Sequence, residues 1–519
     1  MTAPRLPEAA PEVPRRAKTS ALERGDAGAV DAFRNLPLLD FGLASLRQAF
    51  AAALRQVERS LPLRVSPVVA GKLAKFQPEV ERFNPSQPEQ CVARLRYARP
   101  EEVEEALEIA ALQCFEVAKP WREADADVAE AIDFCRFYAR RALIELSPQR
   151  LPSPPGEDNQ QVYEGVGPCV ILAPWNFPLA ILCGMTVAAL VAGNPVLIKP
   201  AEQSSAIASL FVEHLLAAGA PPEVVHFLPG RGEEVGAHLV GDARVALIAF
   251  TGSEKVGLEI LRKAAELDPA RFHLKHIVCE MGGKNAIVVD ADADLDEALS
   301  GILQSAFGYA GQKCSACSRL IVVDAAYEEL MPRLLAATAD LEIGAATSPS
   351  TQLGPVIDAE AQARLHAELE GGIAQGKLLF RGTTPAQGFF VPPTWLEVES
   401  HQHRWMQEEF FGPLVALMRV SSFAEAIAVA NSTRFALTGA VYSRLPSHLA
   451  LAREAFRVGN LYLNRGSTGA LVQRQPFGGF GRSGGGTKAG GAGYLMHFVH
   501  PRVLTENTSR RGFAPELGS

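Results

Sequence analysis

The sequence predicts an α/β fold built on a doubly wound, mostly parallel sheet. From residue 165 onward, short apolar segments typical of buried strands alternate with longer stretches of helical periodicity. A second α/β set begins near residue 286, and 519 residues are enough for two large domains. Alternation of this kind places helices on both faces of a parallel sheet.

The N-terminal region is predicted to hold a tail followed by helices. Residues 1–34 are rich in Ala, Pro and charge without apolar periodicity, which predicts a mobile tail. Apolar positions recur with helical spacing in residues 41–57, and residues 99–107 and 124–145 are predicted as further helices.

The first sheet is predicted from strands that alternate with helices. The most apolar run, residues 178–193, contains Gly184 and Thr186 and precedes Asn-Pro, so a buried helix explains it better than a membrane span. The predicted strands are 166–173, 194–200, 224–228, 245–250 and 276–280, and the other predicted helices are 204–218, 233–239 and one from Ser253.

The second set follows the same pattern. A helix is predicted at residues 295–309, and strands are predicted at 286–290, 319–323 and 436–442. Beyond Gly478 comes a glycine-rich stretch and then residues 494–504, which are predicted as a strand.

Composition excludes several classes of protein. Hydrophobic content of 48%, charged content of 21% and a net charge of −8 are ordinary for a globular enzyme and give no electrostatic reason to bind nucleic acid or an anionic membrane. Eight scattered Cys predict free thiols in a reducing compartment. The close pair Cys314 and Cys317 lacks a second pair or a His cluster, so no metal is expected. The N-terminus lacks the apolar segment of a secretory signal, so the cytoplasm is expected.

Two strings carry candidate chemistry. Cys314 lies in residues 311–319, directly after a predicted helix, and Glu280 lies in residues 279–285. A thiol nucleophile and a carboxylate base are the minimum for making and then hydrolysing a thioester. A free Cys is more often a small buried apolar residue than a nucleophile, so neither string decides alone.

Two strand-to-helix turns are candidate cofactor contacts. Residues 251–257 contain Gly252 and Ser253 and would place free N–H groups and a helix N-terminus where a pyrophosphate can sit. They lack the GxGxxG fingerprint, and an ordinary turn is the alternative. Lys199 and Glu202 end another strand, where a carboxylate can bind both adenosine ribose hydroxyls and repel a 2′-phosphate, which favours NAD over NADP. A helix N-terminal acid is the alternative interpretation of Glu202.

The combination of motifs is more specific than any one of them. In order along the chain, the motifs are residues 174–178, 199–202, 250–253, 280–284, 311–314, 408–413 and 476–479. Together they resemble the aldehyde dehydrogenase superfamily over roughly residues 38–505. Two strings, 313–319 and 465–477, with residues 124–134, are similar to its glutamate-γ-semialdehyde (Δ1-pyrroline-5-carboxylate) dehydrogenases.

The resemblance implies a Rossmann-like NAD-binding domain, an α/β catalytic domain and a small β oligomerisation flap, and hence a homo-oligomer. The NAD-binding domain would comprise residues 35–150 and 164–285, and the catalytic domain residues 286–477. The flap would comprise residues 151–163 and 478–510, with the tail at 1–34 outside all three.

It also implies catalytic roles. Cys314 would attack the aldehyde carbon, and the Asn176 side-chain amide with the Cys314 backbone N–H would stabilise the resulting oxyanion. Hydride would pass to NAD, and Glu280 would activate the water that hydrolyses the thioester.

By the same resemblance, Lys199, Glu202, Gly252 and Ser253 would contact NAD, Glu409 its nicotinamide ribose, and Phe411 the nicotinamide ring. A surface turn is the alternative for Glu409 and Phe411. The remaining expected roles concern the substrate: Ser315, Gly469 and Ala470 on its carboxylate, Phe177 and Phe477 beside its methylene chain, and Glu123 on its ammonium. Core packing is the alternative for both Phe residues.

One departure from the family stands out. Near residues 110–115 the chain lacks about two helices that the family normally has, which would cover the cofactor domain and line part of the substrate tunnel. We therefore expect a retained fold with weakened stability or altered substrate access. Two alternatives follow: a dehydrogenase of another aldehyde, or a non-catalytic member, against which the trio Cys314, Glu280 and Asn176 speaks.

Overall fold

The computed structural model describes residues 33–65, 68–69, 72–73, 80–84, 87–95, 106–266, 269, 271 and 273–509. The predicted tail lies outside these residues except for its end, where the Phe33 ring packs edge-on against Phe137 at 5.4 Å between centroids. Most of the predicted helix at 99–107 also lies outside them. Among the described residues, none of the helices has the length and apolar character needed to cross a membrane.

The N-terminal helices share a hydrophobic core with the first large sheet. One small sheet contains β1, β5 and β4, and a separate small sheet contains β6 and β7. In chain order the elements are α1 (Ala44–Ser60), β1 (Leu63–Val65), β2 (Val68–Val69), β3 (Lys72–Leu73), β4 (Val80–Asn84), β5 (Gln87–Leu95), α2 (Ala106–Glu116), α3 (Trp121–Glu145), β6 (Gln149–Arg150) and β7 (Glu157–Gly165).

The first large sheet has its strands in the order β12-β11-β8-β9-β10, with β2 and β3 added beyond β10. Strands β8 to β12 are all parallel, as the apolar runs predict. Its elements are β8 (Cys169–Leu172), α4 (Ala180–Val191), β9 (Val196–Lys199), α5 (Ser205–Ala217), β10 (Val225–Phe227), α6 (Ala237–Gly241), β11 (Leu247–Thr251), α7 (Glu254–Ala265) and β12 (His276–Glu280).

The second large sheet has the order β15-β16-β17-β14-β13-β19-β20 and is parallel except for β15. It encloses a separate hydrophobic core. Its elements and their neighbours are β13 (Asn285–Val289), α8 (Leu295–Phe307), β14 (Cys317–Val323), α9 (Asp324–Ala339), α10 (Ala359–Ile373), β15 (Lys377–Arg381), β16 (Thr394–Glu397), α11 (Arg404–Gln407), β17 (Leu414–Val420), α12 (Phe423–Ala430), β18 (Phe435–Ala436), β19 (Thr438–Tyr442), α13 (Pro446–Ala455), β20 (Asn460–Leu463), β21 (Phe480–Gly481) and β22 (Val499–Asn507).

The predicted strand at residues 494–504 is wrong over its first part. Tyr494–Phe498 forms a tight helical turn after Gly493, whose φ of 82° is in the left-handed region. Tyr494, Leu495 and Phe498 are all buried, so the apolar spacing of this segment is helical. The strand that follows, β22, pairs antiparallel with the whole of β7.

Two predicted helices and one predicted strand also depart from the prediction in their backbone conformation. The helix predicted to reach Tyr309 ends at Phe307, because Tyr309 and Ala310 both have a φ of 54°. The helix predicted at 233–239 is a wider turn at Gly232–Gly236 followed by α6. The strand predicted at 436–442 is interrupted at Leu437 into β18 and β19.

Helix α2 runs unbroken through the region of the predicted deletion. Beside it, a cleft of about 480 Å³ lies between α1 and the segment containing Thr347 and Pro349, lined also by Phe115 and Trp121. Both aromatic residues are only 4% exposed, so neighbouring residues cover nearly all of each ring although both line the cleft. The effect of the deletion on stability or substrate access stays a prediction.

Glu116, the last residue of α2, caps another helix across the core. Its carboxylate accepts hydrogen bonds from the backbone N–H groups of Ala206 (2.7 Å) and Ile207 (2.9 Å). The local N-cap residue of α5, Ser204, makes no side-chain cap bond of its own. A buried carboxylate on these free N–H groups satisfies donors that would otherwise be unpaired.

We expect Glu116→Ala to lower the free energy of unfolding by about 3 kcal/mol, because two buried N–H groups lose a charged acceptor. Urea denaturation followed by circular dichroism measures this change. The exposed Glu223, in the turn after α5, is the matched control, and its Ala variant should stay within about 0.5 kcal/mol of the wild type. Equal losses in both variants would contradict the capping role.

Candidate active site

The predicted site residues follow strands that end at one edge of the first large sheet. The connections from β8 lead to β9 on one side, while β11 pairs with β8 on the other, so the sheet reverses its strand order at β8. In doubly wound sheets, ligands bind at the carboxyl edge at such a point. Asn176 follows β8, Glu202 follows β9, Ser253 follows β11, and Glu280 is the last residue of β12.

The loop that carries Cys314 is fixed by a side chain that the sequence interpretation did not single out. The Asn285 amide donates to the carbonyl oxygens of Cys314 (2.7 Å) and Ala316 (2.9 Å), and its Oδ1 accepts from the Thr438 N–H (3.0 Å). Gly283 has no room for a side chain, because a Cβ there would lie 2.6 Å from the Cys314 carbonyl oxygen. The nucleophile is therefore presented from a rigid loop.

The Cys314 thiol is partly buried and has a high pKa. Burial, followed by the nearby charges of Glu409 and Glu280, raises the pKa to about 12, and the backbone N–H groups of Ser315 and Cys314 act in the opposite direction. At neutral pH the free thiol is therefore protonated, and its attack on an electrophile requires removal of this proton.

The Asn176 side chain lies against the same loop. Its Nδ2 donates to the Gln312 carbonyl oxygen at 3.0 Å, two residues before Cys314, and Asn176 is only 4% exposed. Gln312 is itself held through its Oε1, which accepts from the Ile357 N–H at 2.9 Å. The structure thus holds the Asn176 amide against the loop that carries Cys314, while its role as an oxyanion donor stays a prediction.

Glu280 is held by the glycine-rich segment that follows Gly478. Its Oε1 accepts from the Thr487 hydroxyl (2.7 Å) and its Oε2 from the Gly479 N–H (3.2 Å). Burial raises the pKa of Glu280 to about 8, against the effects of Thr487, Gly479 and Lys488. A carboxylate with a pKa near neutrality is suited to act as a general base. Thr487 was missed because nothing in its local sequence signals a contact with Glu280.

The predicted dinucleotide contacts lie at the ends of β9 and β11. The Glu202 side chain is 43% exposed, and its Oε1 accepts from the Lys199 amine at 3.0 Å and from the Gly232 N–H. The Ser253 hydroxyl accepts from the Val256 N–H at 3.4 Å and caps the exposed start of α7. The Gly252 N–H donates to the Glu280 carbonyl oxygen at 3.1 Å, so it is not among the free N–H groups expected of this turn.

Glu409 and Phe411 lie in the segment before β17, and Glu409 contacts the loop that follows Glu280. Glu409 accepts a hydrogen bond from the Gly283 N–H at 2.8 Å, and burial raises its pKa to about 7. A Cβ at Gly282 would meet the Glu409 carboxylate, so the loop and this carboxylate lie in close contact. The Phe411 ring stands edge-on to Trp175 at 5.6 Å between centroids.

The predicted substrate contacts lie on two loops around Cys314. The Ser315 carbonyl oxygen accepts from the hydroxyls of Thr438 (3.3 Å) and Ser467 (3.2 Å). Gly469 has a φ of 76°, and its carbonyl oxygen accepts from Arg465 at 2.5 Å, which shapes the loop that continues into Ala470. The remaining predicted contacts, Phe177 and Phe477, are both half-buried.

Glu123, which was expected to contact a substrate ammonium, is paired with a lysine of the chain. Its carboxylate forms an ion pair with the Lys313 amine at 2.5 Å. Burial acts to raise the pKa of Glu123, but the charge and hydrogen bond of Lys313, with Lys119, outweigh it and hold the pKa below its ordinary value. The carboxylate is therefore neutralised by a cation of the chain itself, and this contact does not support a bond to a substrate ammonium.

The other thiols and acids near the site do not form a metal centre. Within the described ranges, no group of three His, Cys, Asp or Glu side chains is arranged to hold a metal ion. Cys317 is 1% exposed and its thiol donates to the Arg319 carbonyl oxygen at 3.4 Å, which is consistent with packing.

Comparisons with known proteins give a consistent assignment. The model of the aldehyde dehydrogenase family matches residues 71–504. The 1-pyrroline-5-carboxylate dehydrogenase of Geobacillus kaustophilus is 41% identical over 512 residues, covering 92% of this chain and 99% of that protein. The 1-pyrroline-5-carboxylate dehydrogenase 2 of Halalkalibacterium halodurans is 39% identical over 510 residues, covering 91% and 99%.

Solved structures agree. The 1-pyrroline-5-carboxylate dehydrogenase from Thermus with bound NAD superposes with a TM-score of 0.88 at 40% identity, over 92% of this chain and 99% of that one. The proline utilization A protein of Bdellovibrio bacteriovorus superposes with a TM-score of 0.90 at 44% identity, over 93% of this chain and 54% of that one.

These alignments also bear on the predicted deletion. Because 92% of 519 residues is about 477, roughly 35 of the 512 positions aligned with the Geobacillus protein have no residue of this chain. The relatives therefore contain residues that this chain lacks, while the position of the gap near Ala110 stays a prediction. The predicted α/β fold is confirmed, and the chain belongs to the aldehyde dehydrogenase family.

Proposed function

We propose that the chain oxidises L-glutamate γ-semialdehyde, formed from Δ1-pyrroline-5-carboxylate, to L-glutamate with reduction of NAD, as a step of proline catabolism. The observation that carries this proposal is the contact of the Asn176 amide with the loop of Cys314. Relatives of about 40% identity, named 1-pyrroline-5-carboxylate dehydrogenases and matched over nearly their whole length, support the substrate.

The chain's own groups account for both halves of the reaction. The Cys314 thiol gives up its proton to water and its sulfur forms a bond to the aldehyde carbon, while the C=O π electrons pass to the oxygen. The Asn176 amide and the Cys314 N–H bind this oxygen as it becomes negative. Bound NAD would supply the acceptor for the hydride that leaves this carbon as the thioester forms. Glu280 then takes a proton from the water that attacks the thioester, which releases the acid and restores the thiol.

The preference for NAD follows from the acid at the end of β9. The Glu202 carboxyl group is partly exposed there, with the Lys199 amine beside it. Its oxygens can accept from both adenosine ribose hydroxyls, whereas a 2′-phosphate at the same place would meet a like charge. Ser253 at the start of α7 would contact the pyrophosphate, with Gly252 leaving the approach open, and Glu409 and Phe411 would bind the nicotinamide end.

The amino-acid end of the substrate is assigned to the loop shaped by Arg465. The N–H groups of Gly469 and Ala470 and the Ser315 hydroxyl would bind the carboxylate. Phe177 and Phe477 would cover the methylene chain and exclude water. Glu123 is not proposed as the partner of the substrate ammonium, because its carboxylate is already paired with the Lys313 amine.

We also infer a homo-oligomer in the cytoplasm. Strand β22 pairs with β7 through its backbone while all but one of its residues are exposed, including Val503 (62%) and Leu504 (43%). Exposed apolar residues on such a sheet fit a contact between copies of the chain. The cysteines outside the masked segments are all free thiols, which suits a reducing compartment. Nothing in the charge balance favours nucleic acid or membrane as a partner.

Steady-state NADH formation with three aldehydes tests the proposed substrate. Glutamate semialdehyde carries both charged groups, succinate semialdehyde lacks the amine, and hexanal lacks both. We expect kcat/KM to be highest for glutamate semialdehyde, and at least about tenfold lower for hexanal, because unpaired polar groups at the clamp penalise an apolar substrate. A preference for hexanal would reject the substrate, and equal efficiency with NADP would reject the role of Glu202.

A further inference from the structure

Two charged side chains beside the site are buried without exposure to solvent. Lys119, in the turn between α2 and α3, and Asp127, on α3, are both 0% exposed, and their Nζ and Oδ1 atoms lie 3.3 Å apart. Burial lowers the pKa of Lys119 and raises that of Asp127, and each charge opposes the shift of the other. A buried ion pair of this kind is a poor source of stability, because desolvation offsets the attraction.

The ion pair forms hydrogen bonds to both ends of the segment 176–180. The Lys119 amine donates to the Asn176 carbonyl oxygen at 2.9 Å and lies 4.0 Å from the centroid of the Phe177 ring. The Asp127 carboxylate accepts from the N–H groups of Leu179 (3.1 Å) and Ala180 (3.4 Å).

The second contact replaces a missing helix cap. Helix α4 begins at Ala180, and the residue before it, Leu179, has no side-chain acceptor for the free N–H groups. Asp127 supplies that acceptor from α3, at the positive end of α4. The start of α4 is therefore set by the position of α3.

The direction of Lys119 is itself imposed by the backbone. Ala118 has a φ of 51°, in the left-handed region that a residue with a Cβ seldom adopts. The Lys119 N–H donates to the Gln113 carbonyl oxygen, which closes the end of α2. This turn points the amine into the protein toward Asn176. Local strain of this kind persists only where the surrounding structure imposes it.

We propose that Lys119 and Asp127 are positioning residues for the oxyanion-binding amide of Asn176: their ion pair fixes residues 176–180 at both ends, so that loss of either charge slows acylation of Cys314 with little effect on substrate binding. The inference rests on the proposed role of Asn176. An oxyanion donor must be held within roughly half an ångström of its productive position, and Asn176 lies on a loop that no regular element fixes.

Rapid mixing of the enzyme–NAD complex with excess aldehyde tests the inference, because the first turnover of NADH reports acylation. The aldehyde is whichever of the three substrates the wild type oxidises best, so the result does not depend on the substrate assignment. We expect Lys119→Met and Asp127→Asn each to slow this phase roughly 10- to 100-fold, with KM changed less than about threefold. The double variant should be little slower than either single one, because the two residues act as a unit.

Asn194→Ala is the matched structural control. Asn194 fixes the other end of α4, because its amide donates to the carbonyl oxygens of Ala189 in α4 (3.1 Å) and of Phe498 (2.9 Å), and it is also buried. This variant should lower the melting temperature and keep the first turnover within about twofold of the wild type. If Lys119→Met does not fold, the first-turnover rate of Asp127→Asn alone tests the inference, because this variant keeps the size of the side chain and an acceptor oxygen.

Two results would overturn the inference. If Asn176→Ala slows the first turnover but Lys119→Met and Asp127→Asn do not, the ion pair has no positioning role. If Asn176→Ala reacts at the wild-type rate, the oxyanion role fails and the inference fails with it.

Discussion

The Cys314→Ala variant is expected to lose NADH formation by at least roughly a thousandfold, because no other atom can form the covalent intermediate. The loss should appear in kcat at saturating aldehyde and NAD. The fold should survive, since Cys314 is only partly buried and its loop is fixed through the carbonyl oxygens of Cys314 and Ala316. Thermal melting beside the kinetic assay separates loss of chemistry from loss of structure.

Cys317→Ala is the matched control for this variant. Cys317 is the same residue type three positions later, but its thiol is buried against the Arg319 carbonyl oxygen. We expect its kcat to stay near that of the wild type, while the free energy of unfolding falls by about 1–2 kcal/mol from the lost packing. NADH formation by Cys314→Ala at the wild-type rate would refute the thioester mechanism, and an equal loss in both variants would show that the loop had collapsed.

Sequence reasoning located β8 to β12 of the first large sheet and β13, β14 and β19 of the second, because buried parallel strands are continuous apolar runs. It did not predict β2 and β3 of the first sheet or β15, β16, β17 and β20 of the second. The β13 strand, Asn285–Val289, is buried at every position and differs by one residue from its prediction. The start of β22 was wrong for a related reason. Tyr494, Leu495 and Phe498 are as apolar as a strand, and only the left-handed Gly493 before them forces a helical turn. A short apolar run does not by itself distinguish the two.

The residues of the candidate site also fall into two groups, those that the sequence indicates and those that only the folded structure reveals. Cys314 and Glu280 were candidates because each lies in a short string with a reactive side chain, and the resemblance to a family gave them their proposed roles. Thr487 and Lys119 could not be predicted, because each acts on a residue far along the chain: Thr487 bonds Glu280, 207 residues away, and Lys119 bonds Asn176, 57 residues away. The partner of Glu123 was missed for the same reason, since the sequence shows a carboxylate but not the Lys313 amine that folding places beside it.

The second large effect concerns Glu280 and separates the two halves of the reaction. Glu280→Gln keeps the size and the contact with the Gly479 N–H but cannot take a proton from water. We expect the first turnover to form about one NADH per active site, followed by a steady state slower by roughly a hundred- to ten-thousandfold. Rapid mixing followed over many turnovers measures both phases. A rapid steady state in this variant would show that another group activates the water.

The same residue sets the expected pH dependence. Hydrolysis requires the ionised form of Glu280, whose pKa is raised to about 8 by burial, so kcat should rise with pH through about 8 and level off above it. Because the Thr487 hydroxyl bonds the carboxylate and lowers its pKa, Thr487→Val should move this rise to higher pH and leave the plateau nearly unchanged. In Glu280→Gln the rise should disappear. If the rise stays at the same pH in both Thr487→Val and Glu280→Gln, the titrating group is not Glu280. Another buried acid of the site must then be the base. Glu409 is the first candidate, because its pKa is raised to about 7.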